Sequence, residues 1–119
     1  MVSRQELIKP PVIVESLEPQ RLDKGETAVL TARFDGYPAP VIKWYRNGRE
    51  IQSSSTVAIQ SKNKESTLTI VRCMPEDTGK YEVRALNDGG EARCAASIRL
   101  RGRKLKRWRH GEIHDYIDY

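Results

Sequence analysis

The sequence predicts an all-β fold in which two antiparallel sheets pack face to face around one core. Three features predict it: short segments in which apolar and polar residues alternate, turn residues that separate these segments at intervals of about 8–12 residues, and the lack of a long segment with helical periodicity. A period of two places alternate side chains on one face of a strand. Because five segments share this alternation, they favour a sandwich.

The five segments comprise residues 27–34, 41–46, 66–71, 80–87 and 92–100, and one parity in each of them is mainly apolar. We expect this apolar set to face inward and to form the core. Its members are Ala28, Leu30, Ala32, Phe34, Ile42, Trp44, Leu68, Ile70, Tyr81, Val83, Ala85, Ala92, Cys94, Ala96, Ile98 and Leu100.

Turn residues bound the same segments. Asn47-Gly48 and Asp88-Gly89-Gly90 are hairpin signals, because Asn and Gly tolerate the positive φ angles of tight turns. Turns that contain Gly and Pro are also expected at residues 35–40 and 75–79.

Length and charge restrict the class of protein. The 119 residues fit one domain with a short tail, not two enzyme lobes. No apolar run approaches the ~20 residues of a membrane span, and residues 1–10 lack the apolar stretch of a secretory signal. The net charge is +5, of which residues 101–119 contribute +3. Since the rest of the chain is nearly neutral, the basic balance alone does not predict a nucleic-acid-binding fold.

Six short motifs follow one another in the chain. They are Gly25-Glu26, Gly36-Tyr37-Pro38-Ala39-Pro40, Trp44-Tyr45 with Asn47-Gly48 behind it, Leu68-Thr69-Ile70, Asp77-Thr78-Gly79-Lys80-Tyr81, and Asn87-Asp88-Gly89-Gly90-Glu91-Ala92. In this order and spacing they resemble an intermediate-set (I-set) immunoglobulin domain of the titin, twitchin, obscurin and myosin light chain kinase type, over about residues 10–100. The resemblance implies an immunoglobulin-like β-sandwich.

The resemblance also implies roles for residues that define the fold. Trp44 is expected to be the core tryptophan between the sheets. Tyr81 is expected to form the tyrosine corner, with its hydroxyl bonded to the backbone near Asp77. The fold-defining set is Ala32, Trp44, Leu68, Asp77, Gly79, Tyr81 and Val83.

The family's disulfide between the sheets would join the positions that Ala32 and Val83 occupy here, so that bridge cannot form. A native bridge contributes roughly 2–5 kcal/mol, and its replacement by apolar residues suits a compartment that keeps thiols reduced. This departure favours an intracellular location. Cys73 and Cys94 fall at inward-pointing positions, and we expect both to be buried thiols rather than redox or catalytic groups.

Few residues suggest catalysis or metal binding. His110 and His114 are four residues apart, but Gly111 stands where the zinc-protease motif requires Glu, so a solvated tail is favoured over a metal site. Both histidines lie outside the predicted fold, where they cannot activate a nucleophile within it, and no phosphate-binding Gly-rich loop occurs. We therefore expect a non-enzymatic chain with no cofactor.

The segment 101–109 is the candidate partner-binding site. If it is helical, six cations surround a small apolar face of the kind that binds calmodulin, an acidic groove or an anionic membrane surface. Gly102 and Gly111 limit such a helix to about two turns, so it would fold on binding. The alternative is a solvated linker, and nucleic acid is a poorer third. The candidate residues are Arg101, Arg103, Lys104, Leu105, Lys106, Arg107, Trp108 and Arg109.

The last eight residues, 112–119, are acidic and contain two tyrosines. Three interpretations stay open: the acidic residues fold back on the basic segment, Tyr116 and Tyr119 are phosphorylated, or the apolar residues dock on the sandwich.

Together these observations predict an N-terminal segment (1–9), an I-set domain (10–100) and a C-terminal linker or tail (101–119). The resemblance implies a structural, protein-binding module of a cytoplasmic muscle or cytoskeletal protein, located at the myofibril and joined to neighbouring domains. Two alternatives stay open: a regulatory segment beside a kinase domain with a calmodulin-binding tail, and a cell-adhesion module.

Overall fold

A β-sandwich forms, as the sequence predicts. A computed structural model describes residues 7–106 and 113–117 of the chain. In chain order its strands are β1 (Lys9–Glu15), β2 (Gln20–Leu22), β3 (Ala28–Tyr37), β4 (Val41–Arg46), β5 (Arg49–Ile51), β6 (Val57–Lys62), β7 (Glu65–Ile70), β8 (Gly79–Asn87), β9 (Gly90–Leu100), β10 (Arg103–Lys106) and β11 (Ile113–Ile117). A 3₁₀ helix at Pro75–Asp77 lies between β7 and β8.

Two sheets make up the sandwich. One has four strands in the order β1-β3-β7-β6, all antiparallel. The other has five strands in the order β2-β9-β8-β4-β5, and only its β2–β9 pair is parallel. Strands β10 and β11 form a separate antiparallel pair.

The core contains most of the side chains that the alternation predicts, and Ile42 is half-buried against it. In β3, residues 28, 30, 32 and 34 are buried while their neighbours are exposed or half-buried. The same parity holds in β7 and β8. Of the fold-defining residues, Ala32, Trp44, Leu68, Tyr81 and Val83 are all buried.

Strand β9 departs from the prediction in its first half. Ala96, Ile98 and Leu100 are buried, but Ala92 and Cys94 are only half-buried. The parallel neighbour β2 covers β9 only from Ile98 to Leu100, so the first half of β9 has no strand paired on that side. The expectation of two buried thiols is therefore correct for Cys73, which is fully buried, and wrong for Cys94.

Both predicted hairpins are present. Asn47-Gly48 joins β4 to β5 with φ angles of 49° and 86°, and Asp88-Gly89 joins β8 to β9. In the first hairpin, the left-handed φ of Asn47 and Gly48 matches the right-handed twist of β4 and β5, which is why Asn-Gly is favoured there.

Trp44 lies in the centre of the core, and its indole nitrogen joins the two sheets. Trp44 Nε1 donates a hydrogen bond of 2.8 Å to Ser66 Oγ, and Ser66 is fully buried on β7. In the strand register, Ser66 lies opposite Ala32 and Trp44 lies opposite Val83. A buried hydrogen bond between the sheets therefore lies beside the two positions where the family's disulfide is missing.

The tyrosine corner is confirmed. Tyr81 Oη donates to the carbonyl oxygen of Asp77 at 2.6 Å. The Asp77 carboxylate in turn accepts the Met74 N–H at 2.9 Å, which holds the 3₁₀ helix in place. Gly79 has a φ of 142°, and a Cβ there would come within 2.8 Å of Asn47 Oδ1, so a side chain at this position would strain the backbone and crowd Asn47.

Candidate protein-interaction surfaces

The four outer strands of the sandwich differ in how much backbone they present. Strand β1 contains two prolines, which have no backbone N–H to donate, and two register shifts in its pairing with β3. Strands β2 and β5 have only three residues each. Strand β6 has six residues, contains no proline and pairs with β7 without a register shift. It is therefore the most regular free edge of the sandwich.

The start of β1 is fixed by one side chain, an arrangement that we call the β1 clamp. Asn87 Nδ2 donates to the carbonyl oxygens of Lys9 at 2.7 Å and Pro38 at 3.0 Å. Its Oδ1 accepts the Gly89 N–H at 2.7 Å. One amide thus joins β1, the turn after β3 and the β8–β9 hairpin.

Gly89 allows this close approach. A Cβ at Gly89 would lie 3.0 Å from backbone atoms of Pro10 and 3.0 Å from Ile8 Cγ2. The hairpin therefore packs directly against the chain as it begins β1.

Large apolar side chains are exposed around the β1 clamp. Leu7 is 73% exposed and Val41 is 62% exposed. Ile8 and Tyr37 are each about half exposed, at 48%. We call these four residues the N-terminal pole patch, because they lie where β1 and β4 begin and β3 ends. A contiguous exposed apolar surface is typical of protein-interaction sites, whereas apolar side chains that are exposed singly are common on any protein.

The outer face of the five-stranded sheet carries an ordered group of charges. The Arg84 guanidinium lies 4.1 Å from the centre of the Tyr45 ring. It is also 2.8 Å from Glu82, and Glu91 lies within 4 Å of both Arg84 and Arg93. The hydrogen bond to Glu82 raises the pKa of Arg84 further above its ordinary value. These four charges are paired with one another, so they form a polar network on this face.

A shallow groove of about 390 Å³ lies at the end of the four-stranded sheet, between Val14 and the β6–β7 turn. Lys64 Nζ is 2.9 Å from Asp35 Oδ1 at its wall, and their hydrogen bond holds the pKa of Asp35 below its ordinary value. Both side chains are half exposed, so the pair adds little stability.

The predicted partner-binding segment begins directly after β9, next to the end of β2. The Arg101 N–H donates to the Leu22 carbonyl oxygen at 2.7 Å. The Arg101 guanidinium lies 3.3 Å from Asp23 and 3.9 Å from Glu26. The first candidate cation is therefore part of the sandwich surface rather than of a free tail.

The next four candidate residues, Arg103–Lys106, form β10 and pair with β11. The helix considered for the basic segment is therefore not present at these positions. Candidates Arg107, Trp108 and Arg109 lie outside the described residues, as does His110, while His114 belongs to β11. The register places Arg103 opposite Ile117 and Lys104 opposite Tyr116.

No helix in residues 7–106 and 113–117 is long and apolar enough to cross a membrane. No group of three or more His, Cys, Asp or Glu residues in this part of the chain is arranged to hold a metal ion.

A profile of the immunoglobulin I-set domain matches residues 11–100. The chain belongs to the immunoglobulin I-set family. This I-set chain is 36% identical to titin of Drosophila melanogaster over 94 residues, which cover 79% of the chain and, to the nearest percent, 0% of that titin. It is 33% identical to smooth muscle myosin light chain kinase of Gallus gallus over 88 residues, covering 74% of the chain and 5% of the kinase.

Among solved structures, the I-set chain is similar to titin domains Z1Z2 in complex with telethonin. The identity is 36%, the TM-score is 0.76, and the match covers 80% of this chain and 48% of that one. The chain thus spans only a small part of the two curated relatives, and what it shares with them is one immunoglobulin domain.

Proposed function

We propose that the chain is a non-catalytic structural and protein-binding module of a cytoplasmic muscle or cytoskeletal protein, at the myofibril. The two relatives, titin and smooth muscle myosin light chain kinase, support the muscle setting. The titin Z1Z2 complex shows that domains of this fold bind another protein. The free thiols and the apolar pair Ala32 and Val83 are consistent with an intracellular location.

The observation that carries the binding function is the N-terminal pole patch on its fixed support. Leu7, Ile8, Tyr37 and Val41 expose apolar surface, while the β1 clamp holds the backbone beneath them. A preformed surface binds without the entropic cost of ordering a loop. We therefore place the contact with a neighbouring domain or partner protein at this pole.

The test is the location of the tagged 119-residue chain in striated muscle cells. We expect a striated pattern for the natural sequence and a diffuse one for the triple variant Leu7→Glu, Tyr37→Glu and Val41→Glu, because charge on an apolar contact prevents its burial. Val71→Glu is the matched control, since Val71 is 57% exposed and lies beyond the opposite end of β3. A diffuse pattern for the natural sequence would contradict the muscle assignment, and a striated pattern for the triple variant would contradict the patch.

A second candidate function is a regulatory segment beside a kinase domain, in which residues 101–109 bind calmodulin. Six cations in nine residues and the match to a myosin light chain kinase favour it. Since Arg103–Lys106 form β10, a calmodulin-bound helix would require this strand to separate from β11.

Titration of the full chain with calcium-loaded calmodulin distinguishes the two functions. Trp108 fluorescence would report binding, because Trp44 is buried in the core and its signal is expected to stay constant. The double variant Lys104→Glu and Lys106→Glu should abolish a genuine shift. An unchanged spectrum of the natural chain at saturating calmodulin would remove this function.

A further inference from the structure

Strand β6 is the longest regular edge of the sandwich, yet its first half is already occupied. The bond from the Val71 N–H to the Thr56 carbonyl oxygen, at 3.0 Å, fixes which residues face β7. Because hydrogen-bonded pairs alternate along an antiparallel ladder, the backbone groups of residues 57, 59 and 61 point away from β7. These outward groups would pair with any added strand.

Two serines of the preceding segment bond to the outward groups of Val57 and Ile59. Val57 N–H donates to Ser54 Oγ at 3.2 Å, and the Val57 carbonyl oxygen accepts the Ser54 N–H at 2.8 Å. Ile59 N–H donates to Ser53 Oγ at 3.1 Å. We call Ser53 and Ser54 the edge-capping serines. Both are exposed, so their hydroxyls serve the edge and not the core.

The geometry points to a specific role: we propose that β6 is a self-pairing edge, and that Ser53 and Ser54 keep it from pairing with β6 of a second copy of the chain. In the native chain the serine hydroxyls and the Ser54 N–H take the place of an incoming strand. Without the two hydroxyls, the Val57 and Ile59 N–H groups would present unpaired donors in the spacing that an antiparallel strand requires.

The charges of β6 favour a second copy as the occupant. Lys62 is the only charged residue of the strand. An antiparallel pair centred on Ile59 keeps the outward residues opposite one another, Val57 facing Ser61 of the other copy. In that register each Lys62 lies opposite Thr56 of the other copy, so the two lysines are at opposite ends and do not repel each other. Val57 and Ile59 are half-buried on the inner face of β6, so pairing of two copies would make the apolar inner faces of their sheets continuous.

The test compares the oligomeric state of full-length variants by light scattering at the highest soluble concentration. We expect the natural chain to be monomeric and the double variant Ser53→Ala and Ser54→Ala to be dimeric. Ser55→Ala is the matched control, because Ser55 belongs to the same exposed segment and is expected to leave the chain monomeric. A monomeric double variant with a native circular dichroism spectrum would overturn the proposal, and so would equal dimerisation of the Ser55→Ala control.

The register gives a second and sharper test. In the double variant, adding Thr56→Lys places two lysines opposite each other across the pair, whereas Thr56→Glu places a glutamate opposite Lys62. We expect the dimer dissociation constants of these two variants to differ by about tenfold, with the Glu variant the tighter. Equal constants would rule out the antiparallel pair centred on Ile59.

Amide hydrogen exchange of the natural chain tests the capping without any variant. Val57 and Ile59 should exchange more slowly than Ser61, whose outward N–H lies beyond the edge-capping serines. Should the Ile59 amide exchange as fast as that of Ser61, Ser53 does not occupy this edge and the proposal is wrong, whether or not the serine variants fold.

Discussion

Among single residues, Trp44 and Ser66 make a hydrogen bond between the two sheets, beside the positions of Ala32 and Val83 where the family has a disulfide. Ser66 has the same parity as Leu68 and Ile70, so the alternation that identified those core residues also places Ser66 inside. A serine inside a core needs a partner, and the indole N–H opposite is an obligate donor. The contact could thus have been found from the sequence by asking what satisfies Trp44.

Replacing Ser66 by Ala should lower the free energy of unfolding by about 1–3 kcal/mol, because the indole N–H would stay buried without an acceptor. Urea denaturation followed by Trp44 fluorescence measures the change. The control is Ser55→Ala: Ser55 is exposed and lies outside the Trp44–Ser66–Ser61 hydrogen bonds, so its loss should change stability by no more than about 0.5 kcal/mol. Equal stability of Ser66→Ala and the natural chain would show that the indole is satisfied in another way.

The phenol of Tyr81 makes stability depend on pH in the alkaline range. Removal from water is the main cause that raises the pKa of Tyr81 to about 12. An unfolded tyrosine has a pKa near 10, so between about pH 10 and pH 12 the unfolded chain loses this proton while the folded chain keeps it. The stabilising contribution is complete below pH 10 and is lost as the pH rises through the folded-state pKa.

We expect the urea midpoint of the natural chain to fall more steeply from pH 9 to pH 11 than that of Tyr81→Phe, which has no proton to lose at this position. At pH 8 the variant should be less stable than the natural chain by about 0.5–1.5 kcal/mol, because it lacks the 2.6 Å hydrogen bond to Asp77. Parallel declines of the two midpoints with pH would show that the Tyr81 phenol is not the titrating group.

At the scale of elements, the β1 clamp explains how an interrupted strand is held in the sheet. Strand β1 pairs with β3 through only four aligned positions with two register shifts. Its pairing alone is therefore weak, and Asn87 adds a hydrogen bond from a side chain on the opposite sheet. The same amide orients the β8–β9 hairpin through Gly89.

The substitution Asn87→Asp tests the clamp. The carboxylate keeps an acceptor for the Gly89 N–H but loses both donors, and it would place a charge beside the carbonyl oxygens of Lys9 and Pro38. We expect a loss of about 1–3 kcal/mol and faster amide exchange in β1 than in β7. Asp88→Asn, in the same hairpin, changes the charge by one unit in the opposite direction and should leave the exchange rates of β1 unchanged. If β1 amides exchange at natural rates in Asn87→Asp, the clamp does not hold the strand.

The elements that the sequence did not predict are the short or weakly patterned ones. Strand β2 has three residues and its partner β9 lies far along the chain, so no local alternation marks it. Strand β6 does alternate, with Val57 and Ile59 half-buried between exposed residues, but the run of serine before it reads as a loop. The sequence also does not predict the β1 clamp. Asn87 and Lys9 are 78 residues apart in the sequence, and the turn motif that contains Asn87 indicates only its role in the hairpin.

At the scale of the whole molecule, the sandwich separates an apolar core from surfaces of different character. The outer face of the five-stranded sheet carries paired charges, the pole where β1 begins exposes apolar side chains, and the free edges are short, interrupted or occupied. The edges that general reasoning favours for partner contacts are therefore the least available parts of this domain. This distribution supports our proposal that partner contacts lie at the pole. In the described residues, hydrogen bonds and burial, rather than a covalent link, join the two sheets.

The thermal midpoint of such a molecule should not depend on a reducing agent. Cys73 is buried and its thiol pKa is raised by burial and by the nearby Asp77 carboxylate, while Cys94 is half-buried on β9, and both are free. With Ala32 and Val83 at the bridge positions, no disulfide contributes to the free energy of unfolding, so scanning calorimetry with and without a reductant should give the same midpoint. Loss of a native bridge from a small domain removes about 2–5 kcal/mol. If the free energy of unfolding fell by that amount when the reductant was added, Cys73 and Cys94 would be paired in solution. The free thiols would then no longer support an intracellular location.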